Sequence, residues 1–169
     1  MKIEFWVNGE KTAMDVPPKK RLMDMLHDDL GLIEVKEGCG KGECGACTVL
    51  LNQKRVNSCL VPALQVSGAH IVTVRGLEKL ASFKLIENAY HEYGAVQCGF
   101  CTTGFLVSTF AFLLENQPPV SRRSIKLGMG GNLCRCTGYT KIVEAVEDLS
   151  HNSELREQML DEWINLFGV

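Results

Sequence analysis

Residues 38–47 read GCGKGECGAC, so that three cysteines and four glycines fall within ten positions. Glycine tolerates positive backbone φ angles, and its missing side chain lets backbone N–H groups come close to neighbouring sulfur atoms. N–H groups that donate to thiolate sulfur stabilise a negatively charged metal site. The stretch therefore predicts a tight loop around a metal group, with Cys39, Cys44 and Cys47 as ligands.

A fourth cysteine completes this set. Cys59 follows in a predicted neighbouring strand, and the four residues give the spacing C-x4-C-x2-C-x11-C. The two spacings among the first three cysteines are those of plant-type [2Fe-2S] ferredoxins. The first quartet, defined as Cys39, Cys44, Cys47 and Cys59, is therefore predicted to hold a [2Fe-2S] cluster.

The remaining cysteines form a second quartet, Cys98, Cys101, Cys134 and Cys136, with the spacing C-x2-C-x32-C-x-C. Two ligands come from one turn between predicted helices and two from another. Four thiolates of this kind bind either zinc or an iron–sulfur cluster. Zinc sites usually pair two C-x2-C segments, a habit that the C-x-C half does not follow. The spacing favours iron–sulfur and leaves a structural zinc site open.

The composition is that of a folded globular protein, with 46% hydrophobic and 22% charged residues in a chain of 169 and a net charge of −2. The charges are not gathered in basic runs, which argues against nucleic acid or an anionic membrane as the main partner. The longest mostly apolar stretch, residues 105–114, is about half of the roughly 20 residues that a membrane span needs. It predicts a buried helix, and no membrane span.

The eight cysteines also bear on the cellular compartment. The first residues alternate apolar and polar side chains, a pattern that predicts a strand rather than a secretory signal. Thiols in the cytosol are kept reduced, so eight cysteines without an export signal favour metal ligation over disulfides. We therefore expect a cytoplasmic protein.

The pattern of the chain changes near Gly76. Before this residue, alternating apolar residues and an Asn8-Gly9 turn predict a small sheet, crossed by one helix over residues 21–30 that ends at Gly31. The predicted strands cover residues 2–7, the stretch from the turn to Val16, and residues 48–51, 55–60 and 70–74.

After Gly76 the spacing of apolar residues becomes helical. The candidate helix caps are Ser82, Ser121, Thr140 and Ser153. We predict an α+β protein with a sheet domain over residues 1–76 and a helical-bundle domain over residues 77–169. The last helix is a C-terminal extension with an apolar stripe, which must pack on this chain or on a partner. We predict that this helix packs along a neighbouring subunit and not on its own chain. The stripe consists of Leu155, Met159, Trp163, Leu166 and Phe167.

Four motifs carry a family resemblance. They are GCGKGECGACTVLL from residue 38, SCL at 58–60, AVQCGFCTTGF at 95–105 and GNLCRCTGY at 131–139. In this order they resemble the small iron–sulfur subunit of the molybdenum hydroxylases, the family of xanthine dehydrogenase and aldehyde oxidase. The resemblance covers about residues 2–150. It implies an N-terminal ferredoxin-like (β-grasp) domain and a C-terminal four-helix-bundle domain, each with one [2Fe-2S] cluster, and so raises iron above zinc at the second quartet.

The resemblance also implies a functional setting. In this family, the positions that match Gln97 and Cys136 lie against the molybdopterin of a large molybdenum subunit. A further subunit usually holds FAD, and electrons pass from molybdopterin through the two clusters towards FAD. The chain is thus expected to be an electron-transfer subunit that performs no substrate chemistry itself. Its sequence does not choose among purines, other heterocycles, aldehydes, carbon monoxide and aromatic thioesters as substrates of the holoenzyme.

Two departures from the family pattern leave the ligands intact. Thr103 stands where the family commonly has proline after CGFC, and residues 52–54 replace a common Asp-Gly turn. Two other functions are alternatives. A free-standing ferredoxin-like carrier would need the first quartet alone and would usually be small and acidic. A zinc-stabilised interaction module would use the second quartet as a structural site.

Overall fold

Within residues 1–168, which the computed structural model describes, five strands form one mixed sheet in the order β2-β1-β5-β3-β4. β1 and β5 run parallel, and the other neighbouring pairs run antiparallel. The strands are β1 (Lys2–Val7), β2 (Glu10–Asp15), β3 (Thr48–Leu51), β4 (Lys54–Asn57) and β5 (His70–Val72).

The first hairpin follows from its local sequence. Asn8 and Gly9 both have positive φ, 52° and 88°, as a tight two-residue hairpin turn requires. Ile3 and Phe5 are buried, whereas Lys2 and Glu4, which alternate with them, face solvent. The predicted strand over residues 2–7 is confirmed, and the turn lies at the predicted Asn-Gly pair.

Both faces of the sheet centre are buried, because successive side chains of a strand point to opposite sides. On β3, Val49 packs in the core of the sheet domain and Leu50 packs in the helical core. On β5, Ile71 likewise packs in the core of the sheet domain and Val72 in the helical core. The sheet is therefore a layer between two cores, one under its own crossing helix and one under the C-terminal helices.

The helix that crosses the sheet differs in detail from the prediction. It begins as α1 (Leu22–Asp24) and continues as a wider π-helical turn over Met25–Asp29, in which the N–H of Leu30 donates to the carbonyl of Met25 at 3.1 Å. It stops at Gly31, which has a φ of +66° as predicted for a left-handed cap. The helix thus covers one face of the sheet, and the chain then continues into the first cysteine loop.

Six further helices follow the sheet within the described residues. α3, α4, α6 and α7 pack around a common core, and α4 also packs against β3. No helix within residues 1–168 is long and apolar enough to cross a membrane. The helices are α2 (Val74–Leu77), α3 (Ala81–Glu92), α4 (Thr102–Glu115), α5 (Arg122–Gly128), α6 (Thr140–Leu149) and α7 (Ser153–Phe167).

Of the four predicted caps, the structure confirms Ser121, whose Oγ accepts from the N–H of Ser124 at 3.1 Å. The other three predictions are wrong. α3 begins after Leu80, so that Ser82 lies inside its first turn. α6 begins after Tyr139, which takes a left-handed conformation, and α7 is capped by the side chain of Asn152. Asparagine is at least as good an N-cap as serine, and it stands one residue earlier.

The prediction that the last helix packs along a neighbouring subunit is also wrong. Met159 and Trp163 of α7 are 0% and 3% exposed and lie in the same core as α3 and α4. Leu155 and Phe167 are buried with them, whereas Leu166 is exposed. The apolar stripe is therefore covered by the bundle of its own chain, which removes the need for a partner at this surface.

Candidate metal centres

The loop of residues 38–47 points backbone N–H groups at one sulfur atom. The amides of Lys41, Glu43 and Cys44 donate to Cys39 Sγ at 3.5, 3.3 and 3.4 Å. These three donors lower the pKa of the Cys39 thiol to about 6. The loop is therefore built to hold Cys39 as a thiolate, the form that binds metal.

Close packing explains one of the loop glycines. Gly42 has a φ of +82°, and a Cβ at this position would lie 2.9 Å from Cγ of Leu60. Leu60 belongs to a short 3-10 turn, Ser58–Leu60, that follows β4. A side chain at residue 42 would therefore have to displace the Leu60 side chain and would strain the backbone at this positive φ.

Cys59 comes from that turn and not from the strand that the sequence predicted. The strand ends at Asn57, and the N–H and hydroxyl of Ser58 both donate to the carbonyl of Cys47, at 3.3 and 2.8 Å. The Cys59 thiol faces that of Cys47, and burial together with this neighbour raises the pKa of Cys59 to about 11. On the other side of the loop, the thiol of Cys39 interacts with that of Cys44. The first quartet is thus two pairs of thiols.

The second quartet has the same paired arrangement. Burial and the neighbouring Cys134 thiol raise the pKa of Cys101 to about 12. Burial opposes ionisation of Cys134, but the hydroxyl and N–H of Thr137, which donate to its sulfur at 3.2 and 3.4 Å, lower its pKa overall. Interaction with the Cys98 thiol raises the pKa of Cys136. The pairs are Cys101 with Cys134 and Cys98 with Cys136.

This pairing suits a binuclear cluster. Four cysteines hold a [2Fe-2S] cluster, two on each of its two irons. In each quartet every thiol lies near at least one other thiol of the same quartet. The donor set and its pairing therefore fit a [2Fe-2S] cluster in each quartet.

The two quartets differ in exposure. Cys47 and Cys59 are buried in the first quartet, and Cys134 is buried in the second. By contrast, Cys98 and Cys136 are exposed and form one pair at the surface. Gln97, next to Cys98, is exposed as well. The second quartet therefore has one edge that faces outward.

Three exposed apolar side chains lie next to residues of the second quartet or to Gln97 in the chain. Val96, Phe100 and Leu133 are 42%, 47% and 52% exposed, although each directly neighbours a cysteine or Gln97 in the chain. Apolar residues grouped at the surface around polar ones are typical of a protein–protein contact. The edge that carries Gln97 and Cys136 is thus suited to lie against another molecule.

The loops that carry the two quartets contact each other directly. The N–H of Leu133, the residue before Cys134, donates to the carbonyl of Cys44 at 2.9 Å. Gly104 in the first turn of α4 makes this approach possible, since a Cβ there would lie 3.2 Å from Cα of Ala46. One hydrogen bond therefore joins a cysteine of the first quartet to the segment that holds the second.

Sequence reasoning missed the polar residues of this contact. Asn132 is 5% exposed and Ser108 is 2% exposed, and their side chains bond to each other at 2.7 Å. The available signal was the pair Ser108-Thr109 inside the mostly apolar stretch of residues 105–114. Thr103, the departure from the family proline, donates to the carbonyl of Glu34 at 2.9 Å and so links the start of α4 to the segment before the first loop.

Comparisons with known proteins agree with this description. Residues 5–71 match the family described as 2Fe-2S iron-sulfur cluster binding domain, and residues 73–147 match the family described as [2Fe-2S] binding domain. The nicotinate dehydrogenase small FeS subunit of Eubacterium barkeri is 45% identical over 85% of this chain and 91% of its own length. The xanthine dehydrogenase iron-sulfur-binding subunit of Escherichia coli O157:H7 is 42% identical over 86% of this chain and 92% of its own.

Solved structures show the same fold. Quinoline 2-oxidoreductase of Pseudomonas putida 86 matches 96% of this chain with a TM-score of 0.84 and 38% identity, over 98% of the matched chain. The aldehyde oxidoreductase of Desulfovibrio gigas matches 95% of this chain with a TM-score of 0.82 and 36% identity, over 18% of its own chain. These matches confirm the predicted α+β fold with two successive iron–sulfur domains. The chain belongs to the family of iron–sulfur subunits of the molybdenum hydroxylases, and is a subunit of an oxidoreductase complex of the xanthine dehydrogenase type.

Proposed function

We propose that this chain carries electrons from a molybdopterin centre in a large partner subunit towards FAD in another subunit. When bound, two [2Fe-2S] clusters supply the one-electron oxidation and reduction that this role needs. The observation that carries the proposal is the hydrogen bond from Leu133 to Cys44, which joins the two thiol loops. Two centres held this close can exchange electrons within one chain.

The ligand assignment follows the thiol pairs. Cys39, Cys44, Cys47 and Cys59 hold the first cluster, supported by the N–H groups that converge on Cys39. Cys98, Cys101, Cys134 and Cys136 hold the second, supported by the two bonds that Thr137 donates to Cys134. In both loops the protein stabilises thiolate with backbone or hydroxyl donors.

Gln97 and Cys136 are proposed to lie against the molybdopterin of the partner subunit. Both are exposed, and the exposed Cys98 and Cys136 pair leaves one side of the second quartet open to a neighbour. The side-chain amide of Gln97 offers a donor and an acceptor to a pterin edge. Electrons then enter at the second quartet and leave from the first.

The proposal includes a domain division and a location. Residues 1–76 form the unit of the first cluster and residues 77–169 that of the second. The two hydrophobic cores support this division, since one lies within the sheet domain and the other is built mainly from helices. None of the eight cysteines, which lie in the described part of the chain, forms a disulfide, and this supports the proposed cytoplasmic location.

A free-standing carrier fits the structure less well. Such a protein needs the first quartet alone, whereas here a second quartet is present with two exposed cysteines and with exposed apolar residues next to it in the chain. A zinc module is disfavoured by the match of residues 73–147 to a [2Fe-2S] binding domain. Docking within an enzyme complex therefore accounts for features that neither alternative explains.

Purification of the complex from the native organism tests the proposal. A tagged form of this chain should copurify with a large molybdenum subunit and a flavin subunit, and the complex should contain molybdenum and FAD. Metal analysis should give about four irons per copy of this chain and no stoichiometric zinc, because eight thiolates serve two binuclear clusters. A chain that purifies alone with two irons and one zinc would contradict both the partners and the second cluster.

A further inference from the structure

Asn132 occupies a buried position between the two thiol loops. Its Nδ2 donates to the carbonyl of Gly45 at 2.9 Å, in the loop of the first quartet. Its Oδ1 accepts from the hydroxyl of Ser108 on α4 at 2.7 Å, and its Nδ2 also lies 3.5 Å from Oγ1 of Thr48 on β3. The amide therefore ties together the first loop, the sheet and α4.

Asn132 and Leu133 act on consecutive carbonyl groups. Asn132 binds the carbonyl of Gly45 through its side chain, and Leu133 binds that of Cys44 through its backbone N–H at 2.9 Å. The segment before Cys134 thus forms hydrogen bonds to two successive peptide groups of the other loop. Gly45 leaves room for these contacts, because a Cβ at that position would lie 2.5 Å from both Asn132 Nδ2 and the carbonyl oxygen of Gly131.

The contact cannot open without cost. Asn132 is 5% exposed, so the protein supplies most of the hydrogen-bond partners of its side-chain amide. A buried donor that loses its acceptor costs more free energy than a typical hydrogen bond contributes. The loops therefore stay together as long as the amide of Asn132 stays in place, oriented by the hydroxyl of Ser108.

We propose that Asn132 is a positioning residue that fixes the separation and orientation of the two cluster sites. This inference rests on the proposed function, since it assumes that both quartets hold clusters. Asn132 is not a ligand, and it acts through the peptide groups that adjoin Cys44. Its role differs from a purely structural one because it bears on the relation between the two sites and not on either site alone.

Magnetic coupling between the two reduced clusters measures that relation. Two neighbouring paramagnetic centres split each other's electron paramagnetic resonance signals, and the splitting depends steeply on their distance and orientation. In Asn132→Leu, a substitution of similar size without hydrogen-bonding groups, we expect the splitting to change or vanish, while iron content and the two separate signals persist. Ser108→Ala, which frees the amide to rotate, should change the splitting in the same direction by less.

Thr103→Val is the matched control. It removes a different hydrogen bond between the two halves of the chain, from Thr103 Oγ1 to the carbonyl of Glu34, and leaves the Asn132 contacts intact. Its splitting should equal that of the unchanged protein. If Asn132→Leu does not fold, the splitting in Ser108→Ala is compared with that in Thr103→Val, and this comparison tests the role of Asn132.

Three results would overturn the inference. One is an unchanged splitting in folded Asn132→Leu, or in Ser108→Ala where the first variant does not fold. Another is the loss of a cluster signal in both variants, which would assign Asn132 to folding of one site. The third is an unchanged protein without two cluster signals, and this result alone would also overturn the proposed function.

Discussion

Helix α3 depends on the last helix of the chain for its N-terminal cap. Its first residue follows Leu80, which has no acceptor, and Glu162 of α7 fills this role. Oε2 of Glu162 accepts from the N–H of Ser82 at 2.9 Å and from its hydroxyl at 2.6 Å. Ser82 is 0% exposed, so both donors lose their partner when Glu162 is replaced by alanine.

The expected cost follows from these contacts. Loss of a side-chain acceptor at a helix N-terminus costs about 1 kcal/mol, within a range of about 0.5–2. Because solvent reaches part of the Glu162 carboxylate and screens its charge, we expect about 1 kcal/mol for Glu162→Ala. For a chain of this size that corresponds to a fall in Tm of about 2–4 °C.

The effect should depend on pH. Burial raises the pKa of Glu162, but the hydroxyl and N–H of Ser82 lower it by more, so that it lies below the ordinary value of 4.5. A carboxylate with a lowered native pKa stabilises the fold fully above its unfolded pKa, and this contribution is lost as the pH falls through the native value. The difference in Tm between Glu162→Ala and the unchanged protein should therefore be constant near neutral pH and shrink below about pH 4.5.

Thermal unfolding of the holoprotein followed by circular dichroism, at one scan rate, measures the difference. Gln158→Ala is the control, because Gln158 donates to the other oxygen of the same carboxylate at 2.8 Å from an exposed position. It should lower Tm by less than Glu162→Ala does. A loss in Glu162→Ala no larger than in Gln158→Ala would refute the capping role and the dependence of α3 on α7.

Three further predictions test the packing and the sites. Met159→Ala should cost about 2–5 kcal/mol in unfolding free energy because the side chain is 0% exposed, whereas Ile164→Ala, at a 58% exposed position of the same helix, should leave Tm nearly unchanged. Cys44→Ser and Cys134→Ser should each remove a different one of two electron paramagnetic resonance signals and about two of four irons per chain. Gln97→Ala should leave iron content intact but slow reduction of both clusters by substrate in rapid-mixing experiments on the assembled enzyme, through loss of a hydrogen bond worth about 0.5–1.5 kcal/mol; equal rates would remove its proposed role.

Local sequence was sufficient for those parts of the fold that local rules decide. The Asn8-Gly9 hairpin, the left-handed stop at Gly31 and the cap at Ser121 each depend on residues within a few positions of one another. The cysteine spacing belongs to the same class, because a loop that folds around a metal group must carry most of its ligands close together in the chain. These features could be predicted without knowledge of what packs against them.

The surface against which the last helix packs could not be predicted in this way. An apolar stripe shows that a face must be covered, but its spacing is the same whether the cover is the chain's own bundle or another subunit. The polar residues on α7 decide between them, since Glu162 binds Ser82 and Arg156 donates to the carbonyl of Leu114 at 3.0 Å. Neither partner can be identified from the sequence, because each lies more than forty positions away.

The contact between the two thiol loops also depends on residues that are far apart in the chain, and the fold explains why it forms. The first loop leads directly into β3, and the second quartet has Cys101 at the start of α4. Because α4 packs against β3, the ends of these two elements that carry cysteines are brought side by side. Gly104 lets the first turn of α4 approach the backbone at Ala46, and Asn132 closes the remaining gap. The packing that buries the second face of the sheet is thus also what brings the two metal centres together.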